Sequence, residues 1–177
     1  LQHLHDIHRA EAGQTLRAGL LGGNMGSALI ERLDSHEARL RLTLDRPPPA
    51  KLPLTLILAL PRPKMLKRTL QTIAAMGVQR LVLVNSFRVE KSFWQTPWLQ
   101  EDSIREQLLL GLEQACDTVL PEVILEKRFK PFVEDRLPAL AAANLKLVAH
   151  PGEHPECPRA LGEQPPTLAI GPEGGWI

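Results

Sequence analysis

The sequence predicts an α/β protein with a mostly parallel sheet, preceded by a short β-rich segment. Continuous apolar runs, typical of strands covered on both faces, alternate with segments of helical apolar spacing. The last such run, residues 167–170, leads directly into a glycine-rich loop at residues 171–175. Parallel strands end at one edge of a sheet, so this loop is predicted where open α/β sheets bind ligands.

The first 46 residues are predicted to form the strands of a small barrel. Apolar stretches at residues 16–21, 28–33 and 38–44 lie at short spacing and are separated by turn residues. Residues 38–44 alternate apolar and polar, which predicts one buried face. The pattern begins at Leu1 with no cap or turn before it, so we expect this domain to be incomplete at its N-terminus.

Three consecutive prolines at residues 47–49 mark the predicted domain boundary, because proline stiffens the chain and lacks the backbone donor. The expected domains are therefore residues 1–49 and 50–177. In the second domain the predicted strands are residues 54–60, 80–85, 122–126, 145–149 and 167–170.

Helices are predicted between these strands. Residues 64–76 have helical apolar spacing that stops at Gly77, and a second helix is capped by Asp102 or Ser103, with Ser103 and Glu106 forming a capping box. A third helix within residues 131–143 is interrupted by Pro138. Strands alternating with helices imply right-handed crossovers.

Composition narrows the function classes. The 177 residues are 44% apolar with a formal net charge of only +1, so any polyanion site must be a local cluster. No apolar run reaches the roughly 18 to 20 residues of a membrane span, and we expect a cytoplasmic protein. The spacings of His3, His5 and His8, and of Cys116 and Cys157, fit no standard metal site, so no metal is expected.

The parallel sheet is expected to bring several polar and charged residues together at one rim. Each of the following groups comes shortly after a predicted strand: Arg62 and Lys64, Ser86 and Arg88, residues 150–152, and the glycine loop. Glycine-rich backbone can lie close against a small molecule, and arginines can hold phosphates. This combination favours a cofactor beside a nucleic acid, the alternatives being an ordinary strand-to-helix turn and a solvated basic helix face.

These residues resemble a known family. Several segments are similar to motifs of the RsmE family within the SPOUT superfamily. They are residues 168–175 (LAIGPEGG) with residues 148–151 (VAHP), residues 61–71 through 76–78, Ser86 and Arg88, and residues 113–114 with 120–123. That family comprises S-adenosylmethionine-dependent 16S ribosomal RNA uracil-1498 N3-methyltransferases. The likeness covers nearly the whole chain.

The resemblance implies an N-terminal PUA-like β-barrel for RNA, a C-terminal SPOUT α/β trefoil-knot domain and a homodimer acting on 16S ribosomal RNA or the small ribosomal subunit. A third cofactor loop of the family would follow Ile177, so the knot and its domain are expected to be incomplete in this chain.

The reaction that the resemblance implies suggests roles for the residues available at the rim. Glu173 is the first candidate for general base, with His150 second, and Arg88 is the cation that stabilises the developing charge. The cofactor S-adenosyl-L-methionine is expected to contact His150, Pro151, Gly152, Ile170, Gly171, Pro172, Glu173, Gly174 and Gly175. The residues expected to bind RNA are Arg9, Arg62, Lys64 and Arg88.

Two alternatives to this function stay open. One is an RNA-binding protein with a SPOUT-like fold and no turnover, and the other is a SPOUT methyltransferase that acts on another RNA nucleotide. An enzyme that uses the loop for a nucleotide is disfavoured, because the chain contains neither Gly-x-Gly-x-x-Gly nor a P-loop motif.

Overall fold

The computed structural model describes residues 11–160 and 162–176. The chain divides into two compact units. The first extends to Pro49 and also includes Cys116–Val119, and the second comprises Ala50–Ala115 and the chain from Leu120 onward.

The described part of the first unit is a three-stranded antiparallel sheet. Its strands are β1 (Thr15–Gly19), β2 (Met25–Leu33) and β3 (Ala38–Arg46), in the order β1-β2-β3. The central strand β2 alternates in burial, with Ala28 and Ile30 on its buried face. Strand formation at all three predicted stretches is confirmed, whereas the PUA-like barrel stays a prediction.

The predicted buried face of β3 is wrong. Leu40 and Leu42 are exposed, and β3 contains no fully buried side chain. The physical reason is that, among the described residues, β3 has a sheet neighbour on one side only, whereas β2 is flanked on both sides. Alternation in sequence therefore did not reveal which of the two strands contributes the apolar face.

Residues Cys116–Val119 are held within the first unit by hydrogen bonds to the β1–β2 turn. The Thr118 hydroxyl donates to the Gly23 carbonyl at 2.5 Å, and Gly22 N–H donates to the Thr118 carbonyl at 2.7 Å. The Arg17 guanidinium donates to the Cys116 sulfur at 3.1 Å. This segment follows a helix of the second unit in sequence but belongs to the first unit by its contacts.

The second unit contains a five-stranded sheet in which every pairing is parallel, as predicted. Its strands lie in the order β6-β5-β4-β8-β7, and they are β4 (Leu52–Ala59), β5 (Val78–Val84), β6 (Glu122–Glu126), β7 (Leu145–Ala149) and β8 (Pro166–Ile170). The chain moves outward from β4 in one direction through β5 and β6, and β8 occupies the other side of β4. The direction of strand order therefore reverses between β4 and β8, which is the switch point of the sheet.

Helices connect these strands. The two long helices are α1 (Pro63–Ala75) and α2 (Glu101–Ala115), with 3₁₀ turns at Lys91–Gln95 and Pro97–Leu99. Helix α1 starts with proline at its first position and ends before Gly77, whose φ of 69° requires the left-handed region that glycine tolerates. The predicted end of this helix is confirmed.

Helix α2 begins earlier than predicted. Ile104 N–H donates to the Gln100 carbonyl at 3.0 Å, so Asp102 and Ser103 lie inside the first turn and neither caps the helix. The predicted capping box at Ser103 and Glu106 is therefore wrong. Glu101 and Asp102 place two carboxylates in the first turn, where the helix dipole favours negative charge.

A helical stretch between β6 and β7 changes geometry before Pro138. An α turn at Phe129–Pro131 continues as a π segment at Phe132–Arg136 and returns to α at Leu137–Leu140. Pro138 itself lies in the first turn of the last α segment, so the helical stretch is irregular before this residue but is not interrupted at it, contrary to the prediction.

Apolar side chains cover both faces of the sheet. Leu81 and Leu83 of β5 pack with Leu66 and Leu70 of α1 on one face, in a cluster that also includes Leu112 of α2. On the other face, Ile57, Val82, Val84 and Phe132 form a second cluster. This double coverage explains why the strands are continuous apolar runs.

Helices α1 and α2 approach each other closely at Gly111. A Cβ added to Gly111 would overlap the Gln71 carbonyl of α1 and lie 2.8 Å from the Ala74 Cβ. Gln71 Nε2 also donates to Gln107 Oε1 at 2.7 Å, and Gln107 is buried.

Among the described residues, no helix is long and apolar enough to span a membrane.

Candidate functional site

The rim formed by the carboxyl ends of the parallel strands brings together four loops of the second unit. They follow β4, β5, β7 and β8, and contain Arg62, Arg88, His150 and the glycine loop respectively. In open α/β sheets a ligand binds beside the switch point, which here lies between the β4 and β8 loops.

The glycine loop turns sharply after β8. Gly175 N–H donates to the Pro172 carbonyl at 2.9 Å, and Gly174 and Gly175 have φ values of 88° and 86°. A Cβ on Gly175 would lie 2.7 Å from His150 Cε1 and 3.0 Å from Pro151 Cδ. Both the backbone conformation and the close approach of the β7 loop therefore require glycine here.

Arg88 joins the β5 loop to the glycine loop. Its Nη1 donates to the Gly174 carbonyl at 2.5 Å, and a Cβ on Gly174 would collide with the guanidinium. The structure therefore places this residue, predicted as the charge-stabilising cation, directly against the predicted cofactor loop.

Arg62 and Glu173 lie on either side of the switch point. Arg62 Nη2 and Glu173 Oε2 form an ion pair at 3.2 Å, with side chains 68% and 87% exposed. The predicted RNA-binding cation and the predicted general base thus neutralise each other. At this exposure the pair contributes little to stability because solvent screens it.

The other predicted residues differ in their placement. His150 packs against Gly175 and its ring centroid lies 5.5 Å from that of His154, while Gly152 has a φ of 130°. Ile170 pairs with Leu58 and Ala149 in the sheet. Lys64 is exposed in the first turn of α1. Arg9, like His3, His5 and His8, lies outside the described residues.

Two buried polar atoms near this rim have no hydrogen-bond partner among the described residues. They are the Ser86 hydroxyl, two residues after β5, and Trp176 Nε1, directly after the glycine loop. A buried polar group without a partner costs free energy, so these two donors are suited to a hydrogen bond with a ligand or water. Trp176 rests against Phe129, with ring centroids 5.8 Å apart.

The loop after β6 contains a feature that the sequence did not reveal. An open cavity of about 390 Å³ is lined by Leu125, Glu126, Lys127, Arg128, Pro131, Phe132, Asp135 and Arg136. Charged residues in a short run have no distinctive pattern, so only the folded chain shows that they share a cavity.

The described residues include no group of three histidine, cysteine, aspartate or glutamate side chains that could hold a metal ion. The thiols are separate, with Cys116 half-buried and Cys157 exposed.

Comparison with known proteins identifies similar chains. The family model described as RNA methyltransferase domain matches residues 48–177. A curated relative, Ribosomal RNA small subunit methyltransferase E of Treponema pallidum (strain Nichols), is 28% identical over 131 residues, which are 73% of this chain and 49% of the relative. The chain thus spans about half the length of the curated relative it matches.

Solved structures share the fold. A probable rRNA-methyltransferase from Porphyromonas gingivalis has a TM-score of 0.72 at 18% identity, with coverage of 99% of this chain and 74% of the other. A Ribosomal RNA small subunit methyltransferase E from Neisseria gonorrhoeae, bound to S-adenosyl methionine, has a TM-score of 0.68 at 21% identity, with coverage of 99% and 72%. The predicted α/β fold with a parallel sheet is confirmed by this likeness.

Proposed function

The chain belongs to the RNA methyltransferase domain family, and from this premise we propose that it is an S-adenosyl-L-methionine-dependent methyltransferase acting on N3 of a uridine in 16S ribosomal RNA. The predicted position is 1498, as in the RsmE family. The name of the Treponema relative supports a small-subunit ribosomal RNA as substrate, and the Neisseria structure supports the cofactor.

The glycine loop at the switch point is the observation that carries this proposal. Gly174 and Gly175 present backbone without side chains, closely backed by Arg88 and His150. A loop of glycine backbone held in this way can lie close against a flat or bent small molecule. The loop is better explained as a cofactor-binding loop than as an ordinary turn. An ordinary turn would not need residues from the loops after two other strands to pack against it.

The residues at this rim also fit the polar groups of S-adenosyl-L-methionine. The Ser86 hydroxyl and Trp176 Nε1, which have no hydrogen-bond partner among the described residues, are available as hydrogen-bond donors. When bound, this cofactor supplies an electrophilic methyl group. The loops of residues 150–152 and 170–175 would hold it.

Methylation at N3 of uracil requires loss of the N3 proton as the new N–C bond forms. In our proposal Glu173 accepts this proton, with His150 as the second candidate. Because Glu173 is paired with Arg62, its carboxylate must leave that ion pair or share it when the uracil binds. Arg88 donates a hydrogen bond to the Gly174 carbonyl of the same loop, and it stabilises the negative charge that develops on the base.

RNA binding completes the proposal. Arg62, Lys64 and Arg88 lie along the rim and would contact phosphates, and Arg9 is proposed to contact RNA from the first unit, as a PUA-like domain would. We further propose the SPOUT knot and a homodimer for the whole protein, as the RsmE resemblance implies.

Calorimetry with S-adenosyl-L-methionine on the full-length protein tests the cofactor, and methyl incorporation into ribosomal RNA from a strain lacking the protein tests the substrate. Gly175→Ala should abolish the binding heat. Gly13→Ala is the matched control, because Gly13 also has a positive φ of 89° but an added Cβ there would have no contact within 4 Å. Binding that survives Gly175→Ala would contradict the proposed site.

The same measurements separate the alternatives. RNA binding without cofactor heat would indicate an RNA-binding protein without turnover. Methyl incorporation at another position, mapped with and without add-back of the protein, would indicate a different target nucleotide.

A further inference from the structure

Phe87 projects from the rim beside the candidate cofactor loop. Its side chain is 95% exposed, although Ser86 before it and Val89 after it are buried. Val89 N–H donates to the Ser86 carbonyl at 3.1 Å, which closes a tight turn with Phe87 and Arg88 at its tip. Arg88 donates a hydrogen bond to the Gly174 carbonyl, which fixes the turn that carries the phenyl ring.

The cavity after β6 lies beside this turn. Strands β5 and β6 are neighbours, with Val84 paired to Glu126, and Asn85 N–H donates to the Glu126 carbonyl at 3.0 Å. Adjacent strand ends are about 4.8 Å apart, so the Phe87 turn and the cavity share one stretch of the rim.

The charged residues that line the cavity are Glu126, Lys127, Arg128, Asp135 and Arg136, so the cavity has one net positive charge. Arg136 forms an ion pair with Glu126, which is buried, and these two charges cancel. Lys127 and Arg128 are exposed and have no ion-pair partner within residues 11–160 and 162–176. Two cations are therefore available beside an exposed aromatic ring.

We propose that this part of the rim, defined by Phe87, Lys127 and Arg128, binds a single-stranded RNA segment adjacent to the target nucleotide. Phe87 stacks on an unpaired base, and Lys127 and Arg128 bind the phosphates next to it. Aromatic stacking combined with a basic groove is how proteins hold unpaired RNA, because every base has a face that can stack. This inference rests on the proposed function, since it assigns the RNA a path across the same rim.

A second copy of the chain fits this surface less well. The core of a protein interface is depleted of charged residues, whereas Phe87 is followed in sequence by exposed Arg88, Glu90 and Lys91. A single ring among charges matches the polar and positively charged character of nucleic-acid interfaces.

Titration of the full-length protein with a fluorescently labelled, single-stranded RNA oligonucleotide of mixed sequence tests this assignment. Phe87→Ala should weaken binding about tenfold, because the stacking of one base on the ring is lost. Phe87→Trp should restore the affinity and Phe87→Leu should not, because leucine is apolar but cannot stack. Met76→Ala is the control, since Met76 is also an exposed apolar residue, 62% exposed, but precedes β5 at the opposite edge of the sheet.

The cations are tested by salt dependence. The double variant Lys127→Ala/Arg128→Ala should reduce the slope of log affinity against log salt by about 1.4, which is about 0.7 for each single-strand phosphate that the protein no longer neutralises. An unchanged slope would overturn the phosphate assignment.

Three outcomes would overturn the stacking assignment. They are an unchanged affinity of Phe87→Ala, full rescue by Phe87→Leu, and a change from dimer to monomer in sedimentation at constant RNA affinity, which would place Phe87 in an interface between copies. The heat of S-adenosyl-L-methionine binding, measured by calorimetry, separates this test from that of the proposed function. If RNA binding depends on Phe87 but the cofactor gives no heat, only the proposed enzymatic function is refuted. If methylation does not depend on Phe87, only the stacking assignment is refuted.

Discussion

Arg62 and Glu173 connect the two loops that flank the switch point of the parallel sheet, with 3.2 Å between Nη2 and Oε2. One follows the first strand of the second unit and the other follows β8, so the ion pair lies across the crevice where a ligand of this fold binds. A substrate that engages either side chain must compete with the other.

Arg62→Ala should weaken RNA binding and lower its salt slope by about 0.7, because one phosphate is no longer neutralised by the protein. The free energy of unfolding should fall by less than about 1 kcal/mol, since the pair is exposed. Arg80→Ala is the control, because it removes an ion pair with Glu122 on the neighbouring strands without touching the rim loops. A salt slope that does not change in Arg62→Ala would show that Arg62 does not bind phosphate.

Glu173→Gln should lower the methyl-transfer rate about 100-fold at saturating cofactor and RNA, because the amide cannot accept the N3 proton. Cofactor binding measured by calorimetry should stay within about threefold of the unchanged protein, since the backbone of the loop is kept. His150→Ala, measured in parallel, discriminates the second candidate base. A full rate in Glu173→Gln would remove Glu173 from the mechanism.

Gly111→Ala should destabilise the second unit by about 1–3 kcal/mol, because the new methyl group overlaps backbone of α1 in a closely packed helix pair. Chemical denaturation measures the effect. Glu113→Ala, two residues along α2 on its exposed side, should change stability by less than about 0.5 kcal/mol. Equal effects at the two positions would show that the helices separate easily.

The β2–β3 turn should have an acid-sensitive contribution to stability. Asp34 Oδ1 accepts hydrogen bonds from the backbone N–H of His36 at 2.9 Å and of Glu37 at 3.0 Å, and these bonds, with Arg32, hold the pKa of Asp34 below its ordinary value of 3.8. The stabilisation is therefore complete above that ordinary value and is lost as the pH falls through the lower pKa of the folded state.

Asp34→Asn should accordingly be less stable than the unchanged protein at neutral pH, and the difference should disappear in strong acid, where Asp34 is protonated. Denaturation midpoints measured across the acid range check this. A difference that persists at the lowest pH would assign the effect to packing rather than to charge.

Local patterns were sufficient for much of the fold. Apolar runs marked the parallel strands, Gly77 marked the end of α1, and the glycines at residues 171–175 marked a loop that does receive neighbours from other strand ends. These features depend on residues close together in the sequence, which is why they could be predicted.

The pairings within the site could not be predicted in this way. The contact of Arg88 with the Gly174 carbonyl joins residues far apart in sequence, and it depends on the conformations of two loops. The same holds for the ion pair that occupies Glu173. Phe87, Lys127 and Arg128 carried no periodic signal, and their shared position follows only from the pairing of β5 with β6.

The pairing of β4 with β8 also affects how the site is assembled. Thr55 lies opposite Thr167, so the central strand remains without one of its neighbours until almost all of the described chain has been synthesised. Contacts between such distant segments form slowly, because a long loop must close before they are gained. The rim should therefore be among the last parts to order during refolding, which leaves the half-formed sheet edge open to aggregation until β8 docks.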